Sequence, residues 1–328
     1  MKGKILELLK KNKGDFVSGQ KISEELNVSR TAIWKYMNQL KDEGYEIESV
    51  SRKGYRLILT PDVLTYDEIK DLLKTKRIGR DILYFNSIDS TNSKAKQLAS
   101  DGKGEGTVII SEEQTKGRGR LGRNWVSPKG KGVWMSIIIR PDIQPIDASK
   151  ITQVTAAAVS KSILELGIKN YIKWPNDIII NNKKVCGILT EMSGELNKIN
   201  YIVIGIGINV NLDENEIPND IKDIATSLKI ESGKKVSRKQ LVANIFNNFE
   251  ELYEELLNKN EITHSIEICK ENSAVLGKEI RVIFRNKEIR GKAVDLTDEG
   301  ELLIENQEGK IQKIISGEVS IRGVNGYV

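Results

Sequence analysis

Residues 117–125 read GRGRLGRNW, and the fold class turns on them. Gly117, Gly119 and Gly122 formally satisfy the G-x-G-x-x-G spacing of a dinucleotide-binding turn. That turn has to open a helix, whereas this stretch runs on into Ser127 and Pro128. Three arginines would also crowd the close backbone approach that such glycines exist to permit. A dinucleotide fingerprint is rejected. The residue types instead describe a flexible anion clamp. Arg118, Arg120 and Arg123 offer planar, bidentate donors to phosphate or carboxylate. The glycines, Gly119 among them, supply backbone N–H groups and freedom to close. An arginine-rich loop that touches nucleic acid is the competing reading.

Outward from the loop, hydrophobic periodicity predicts helix 66–76, opened by a Thr65-x-x-Glu68 capping box, strand 82–86, helix 91–100 and strands 106–112 and 133–140. Helix 148–166, strands near 170–180, 185–193 and 199–206, and helices 223–229 and 238–257 complete the region. Strands mixed with long helices, without strict alternation, give an α/β or α+β sheet layered with helices. Within it, KWPND (173–177) presents Asn176 and Asp177 just past a strand that Pro175 stops, a usual location for ligands. Lys173 suits phosphate; Asp177 suits either a cation such as Mg²⁺ or the orientation of a lysine. NKKVCGILTE (182–191) follows a hairpin turn at Asn181-Asn182 and puts Lys184 beside an apolar strand, with Gly187 marking a close approach. Cys186 reads as a small buried hydrophobe. GIGIN (205–209) is a weak signal alone.

In residues 1–60, Ile5, Leu6, Leu8 and Leu9 lie at helical spacing and Gly14 ends that helix. Ser18 precedes a second helix, and Ser29 and Gly44 bracket a third on which Ile33, Met37 and Leu40 share one face. Arg30, Thr31, Trp34, Lys35, Asn38 and Lys41 take the other face, the pattern of a helix-turn-helix whose second helix enters the major groove. YEIESVSRKGYRLIL then alternates around Ser51-Arg52-Lys53-Gly54, a hairpin wing with a basic tip for phosphate. Ser29, Arg30, Thr31, Lys35, Asn38, Arg52 and Lys53 are the candidate DNA contacts. A protein-interaction module with one charged face is the alternative.

Charge supports this placement. The 328-residue chain has a formal net charge of +5, and residues 1–60 hold twelve Lys/Arg against eight Asp/Glu, so most of the excess sits there. A single histidine, His264, excludes a histidine-rich metal site and leaves little room for a Ser-His-Asp triad, so any metal is expected without His or Cys ligation. Two cysteines, no export signal and no apolar run of membrane length lead us to expect a cytoplasmic protein without a membrane. Residues 273–328 alternate, with turns at Asn286-Lys287, Asp298-Glu299-Gly300 and Glu308-Gly309, as a small β-barrel of about five strands.

Ser90-Thr91-Asn92, Gln114, GRGRLGRNW, KWPND, KKVCGILTE and GIGIN, in this order behind a winged helix, resemble the bifunctional biotin–protein ligases that double as biotin-operon repressors. The resemblance implies three domains: a winged helix-turn-helix (1–60), a mixed α/β ligase domain of the class II synthetase type (65–272) and an SH3-like barrel (273–328). It implies a two-step reaction. Biotin and Mg·ATP give biotinyl-5′-adenylate, and a lysine of the biotin carboxyl carrier protein then takes the biotinyl group. By resemblance, Ser90, Thr91, Asn92, Gln114, Arg118, Gly119, Arg120, Lys184 and Gly187 contact biotin. Arg118, Arg120, Arg123, Trp125, Lys173, Asn176, Lys184 and Asn209 serve ATP, and Lys184, Asp177, Lys173 and Arg120 carry catalysis, with Mg²⁺ near Asp177. The adenylate-bound form is expected to be a homodimer on operator DNA. Departures are small: Lys116 replaces a small residue, Leu121 costs one arginine, and 212–224 has no aromatic to cover adenine. A non-catalytic biotin-sensing repressor and a lipoate-attaching enzyme are the alternatives.

Overall fold

The computed structural model describes residues 1–12, 14–284, 287–315 and 319–323, which form two compact units, 1–63 and 64–328. The first holds α1 (Lys2–Lys11), α2 (Gly19–Leu26), α3 (Arg30–Asp42), β1 (Glu46–Val50) and β2 (Gly54–Leu59). Ser18 and Ser29 are side-chain N-caps, accepting from the amides of Lys21 at 3.0 Å and Ala32 at 3.2 Å. Ile5, Leu9, Ile22, Ile33, Met37, Leu40 and Leu57 bury the apolar faces. Val17 pairs with Tyr55 beside the β1–β2 hairpin. Gly54 is required there: a Cβ would lie 2.1 Å from the Val17 carbonyl oxygen, at φ +109°.

The second unit runs α4 (Tyr66–Ile69), β3 (Asp81–Phe85), α5 (Thr91–Ser100), β4 (Thr107–Ser111), β5 (Gly132–Ile139), α6 (Ala148–Leu164), β6 (Tyr171–Lys173), β7 (Asp177–Ile180), β8 (Lys183–Glu195) and β9 (Lys198–Asn209). Then come α7 (Leu228–Ser232), α8 (Arg238–Lys259) and α9 (Thr263–Glu271). The strands form one sheet in the order β3-β4-β5-β9-β8-β7-β6. Its β3–β4 pair is parallel and its other pairs are antiparallel. α6, α8 and α9 pack into the main apolar core on the sheet, while Ala95 and Ala99 of α5 pack with Ile109, Ile138 and Val203 in a second cluster. α5 thereby brings Ser90 to Asn92 onto the middle strands.

β10 (Glu279–Phe284), β11 (Lys287–Leu296), β12 (Leu302–Glu305), β13 (Ile311–Ile314) and β14 (Val319–Gly323) form an antiparallel sheet in the order β13-β12-β11-β10-β14. Ile280, Val282, Leu302, Ile304 and Ile321 belong to the same core as the central sheet. The junction is also hydrogen-bonded. Trp174 Nε1 donates to the Gly300 carbonyl at 2.9 Å, and the Ala274 amide donates to the Ile172 carbonyl at 2.9 Å.

Several local expectations fail. The helix predicted over 66–76 ends as a helix at Ile69 with a 3₁₀ turn to Leu72. Thr65 makes no side-chain cap, and buried Glu68 accepts from Lys239 Nζ at 2.7 Å, a tertiary partner displacing the local motif. Helix 223–229 becomes α7, with its N-cap at Ser227; α9 was not anticipated. The Asn181-Asn182 turn is present with both residues at positive φ. Asn286, and so the predicted Asn286-Lys287 turn, lies outside the described residues. Among the described residues no helix is long and apolar enough to cross a membrane.

Candidate functional site

The Gly117–Trp125 stretch is an arm closed on itself rather than a slack clamp. The amide of Trp125 donates to Gly117 at 3.0 Å and that of Gly119 to Arg123 at 2.7 Å, which makes a small hairpin turning at Arg120 to Gly122. Its tip holds Leu121 at φ +56°, a conformation that costs a β-carbon-bearing residue energy and marks functional segments. The root is buttressed by amides of Thr115 and Lys116, which donate to Ile88 and Asp89.

Beneath the arm lies a cavity of about 250 Å³. Ser90, Thr91, Asn92 and Gln114 line it, as do Arg118, Gly119, Arg120, Arg123 and Trp125. So do Lys173, Asn176, Asp177, Lys184, Gly187 and Asn209. Every small-molecule residue singled out in the sequence therefore meets at one place. The floor is built from missing side chains: a Cβ on Gly205 would lie 2.1 Å from Asn92 Oδ1, one on Gly207 2.6 Å from Trp125 Nε1, and one on Gly187 3.0 Å from both Lys184 Cε and the Trp125 ring. GIGIN is thus a surface kept bare for Asn92 and Trp125.

One end is polar and neutral. Gln114 Oε1 accepts from the Thr91 amide at 2.8 Å and its hydroxyl at 3.1 Å, and Gln114 Nε2 donates to Ser127 at 2.9 Å. The other end is strongly cationic. Lys184 Nζ lies 2.6 Å from Asp177 Oδ1 and 5.2 Å from the Trp125 ring centroid. Arg120 Nη1 donates to Asn176 Oδ1 at 2.5 Å, while Asn176 Nδ2 donates to Ile188. Burial pulls the Arg120 guanidinium below its usual range, Asp177 opposing and Arg123 reinforcing the shift. Lys173 is only 4% exposed. Burial, with Arg322, Lys184 and Arg123 adding repulsion, takes its ammonium down to about 7 despite Asp177. Such a cluster is costly unless an anion enters it. Cys186 is fully buried, and that burial pushes its thiol well up, which excludes it as a nucleophile.

Two parts of the wall were missed in the sequence. Ser320, Ile321 and Arg322 of β14 reach the cavity; an Arg at strand-like spacing gives no signal that it meets Lys173 across a domain. Leu212, Ile217, Pro218, Ile221 and Ile224 line the side nearest Asn209, so aliphatic residues form the wall where an aromatic was sought. Asn209 Nδ2 donates to the Thr226 carbonyl at 3.0 Å.

In the first unit, Arg30, Thr31 and Lys35 are exposed on α3 and Asn38 is half-buried. Ser29 is committed to its cap. Trp34, on the same face, is 61% exposed. Arg52 sits at the wing tip at φ +67°, and Lys53 lies 5.8 Å from the Phe16 ring centroid.

A family model described as "Biotin/lipoate A/B protein ligase family" matches residues 84–209, an "HTH domain" model matches 2–56, and "Biotin protein ligase C terminal domain" matches 275–322. The chain is 44% identical to the bifunctional ligase/repressor BirA of Bacillus subtilis over 97% of both chains. It is 30% identical to that of Escherichia coli over 94% of both. The structure of the biotin protein ligase from Aquifex aeolicus in complex with biotin and ATP superposes with TM-score 0.65 at 33% identity, covering 74% of this chain and 99% of that one. With this identity along nearly its whole length, the chain belongs to the family of bifunctional biotin–protein ligase/repressors and is an enzyme of the ligase class.

Proposed function

We propose that the cavity binds biotin at its Ser90–Gln114 end and ATP at its cationic end, joins them as biotinyl-5′-adenylate, and delivers the biotinyl group to a lysine of the biotin carboxyl carrier protein. The observation that carries this is the Lys184–Asp177 pair at 2.6 Å in the cationic end, on the cavity that Ser90 and Gln114 also line. In the first step the biotin carboxylate attacks the α-phosphorus and pyrophosphate leaves. Lys184 lies where that carboxylate and the α-phosphate must converge, and Asp177 holds its ammonium ready. Arg118, Arg120, Arg123 and Lys173 neutralise charge that accumulates on phosphate oxygens, the main demand of the step. In the second step the acceptor amine attacks the biotinyl carbonyl, AMP leaves with the bonding pair, and the amine proton passes to solvent. The arm and Trp125 keep water from the mixed anhydride meanwhile.

Mg²⁺ fits only as a companion of the nucleotide. Among the described residues no cluster of three or more acidic, His or Cys groups is suited to a metal, and Asp177 is the one carboxylate among the cavity-lining residues. Phosphate oxygens with that single carboxylate are a normal magnesium environment; the ion would neutralise the triphosphate.

The three-part division 1–60, 65–272 and 273–328 goes with this reading. The first part binds operator DNA through Arg30, Thr31, Lys35, Asn38, Arg52 and Lys53. Adenylate-bound dimers would span two half-sites. The test is labelled-biotin incorporation into a carrier-domain fragment with Mg·ATP, by wild type and Lys184→Ala. Lysine-linked label with wild type and little with the variant is expected. Tight biotin binding without label would identify a sensor without catalysis, and pyrophosphate exchange with lipoate but not biotin would assign the other acyl acid.

A further inference from the structure

Ser136 lies in the middle of β5 with no exposed surface, and it does not line the cavity. Its hydroxyl donates to Thr91 Oγ1 at 2.8 Å and to Asn92 Oδ1 at 2.6 Å. One hydrogen shared between two acceptors fixes both as acceptors on that side. Thr91 must then send its own hydrogen onward, which it does, to Gln114 Oε1. With the oxygen of Gln114 taken by the amide and hydroxyl of Thr91, its NH₂ is turned to Ser127.

The other branch ends on a charge. Asn92 Nδ2 donates to Glu191 Oε2 at 2.8 Å, and Lys96 Nζ donates to Glu191 Oε1 at 2.7 Å. An ionised carboxylate accepts only, so Asn92 cannot flip its amide without facing oxygen to oxygen. Burial alone would raise the Glu191 carboxyl, but the bonds from Lys96 and Asn92 outweigh it and hold it below the ordinary range. Gly205 closes the remaining space against Asn92.

We propose that Ser136 and Glu191 are positioning residues that set the hydrogen-bond polarity of Thr91, Asn92 and Gln114, and so select a cyclic urea. The proposal rests on the biotin reading of this end of the cavity. A urea ring carries one carbonyl and two N–H groups. The network leaves acceptor capacity on Thr91 Oγ1 and Asn92 Oδ1 for the N–H groups. It leaves a donor on Gln114 Nε2 and the Ser90 hydroxyl for the carbonyl. A carboxylic acid with an apolar ring would strand these groups, and stranded buried polar groups are what give strong discrimination.

The test is biotin-dependent ATP–pyrophosphate exchange by wild type, Glu191→Gln, Ser136→Ala and Ser136→Thr, with thermal unfolding of each. Glu191→Gln is isosteric but lets the amide pair turn either way. It and Ser136→Ala should raise KM for biotin about tenfold, the worth of about one hydrogen bond, with KM for ATP and kcat within about twofold. Ser136→Thr, which keeps the hydroxyl, should recover most of the loss. Unchanged KM for biotin in Glu191→Gln, or equal rises for biotin and ATP, would overturn the proposal. Wild type that exchanges no pyrophosphate with biotin would overturn the biotin reading itself, which no variant result can do.

Discussion

The carboxamide of Asn92 fills the space a side chain at Gly205 would need: a Cβ there would stand 2.1 Å from Asn92 Oδ1 and 2.8 Å from Cγ. Helix α5 and strand β9 are therefore locked in register by an absent methyl group. Gly205→Ala should push Asn92 off Ser136 and Glu191. Biotin affinity measured by calorimetry should fall at least tenfold, on the order of one buried polar group left unpaired. Gly207→Ala should act on Trp125 instead, and a loss of tryptophan burial seen by fluorescence would distinguish the two.

The Lys184–Asp177 pair makes a second expectation. Lys184→Ala should remove adenylate formation while leaving biotin binding measurable. Asp177→Asn should lower kcat by roughly ten- to a hundredfold with less effect on KM, because the ammonium loses its anchor rather than its charge. Single-turnover formation of adenylate in both variants checks the difference.

Lys173 predicts a pH effect of definite sign. Its folded pKa is about 7 against 10.5 for the free side chain. Between those values the unfolded chain holds a proton that the folded chain lacks, so this residue makes stability rise with pH across that window and contributes least below pH 7. Lys173→Met should flatten that part of the profile in urea titrations at pH 6.5–9. Nucleotide phosphates should restore the charge, so ATP binding above pH 7 should take up protons, read as buffer-dependent enthalpy in calorimetry.

Trp174 ties KWPND to the C-terminal sheet through Gly300. Trp174→Phe keeps the packing and strands a buried carbonyl, at a cost of about 1–3 kcal/mol, visible as a lower Tm. KM for ATP should rise with it, since Arg322 lines the same cavity.

On α3, Trp34→Ala removes an exposed ring that packs in no core. DNA affinity should fall while stability stays within about 0.5 kcal/mol of wild type, as for surface positions generally. Ser29→Ala should do the reverse, costing about 1 kcal/mol through the lost cap.

Much of this was legible in the primary structure because it is local chemistry. Ser18 and Ser29 announce their caps, Asn181-Asn182 its turn, and Ile33, Met37 and Leu40 their common face. The cavity residues were legible because their types are improbable together without a ligand. What escaped depends on long-range packing. Glu68 looked like the end of a capping box and is a partner of Lys239. Ser136 lies within the apolar strand 133–140 and nothing local marks it, yet its neighbours across the sheet and on α5 make it the hub of a polar network. Arg322 is separated from Lys173 by nearly half the chain, and no periodicity links them.

The contribution of β14 to the cavity wall has a consequence for how the protein comes into being on the ribosome. Ser90 to Asn92 come early in the chain and the arginine arm soon after, but Ser320 to Arg322 complete the wall about two hundred residues later. A chain that stops short of β14 lacks Ser320, Ile321 and Arg322 from the cavity wall. The mixed anhydride of the proposed reaction, made there, would meet water. On the proposed reaction, the chemistry waits for β14 to close the wall that holds its product.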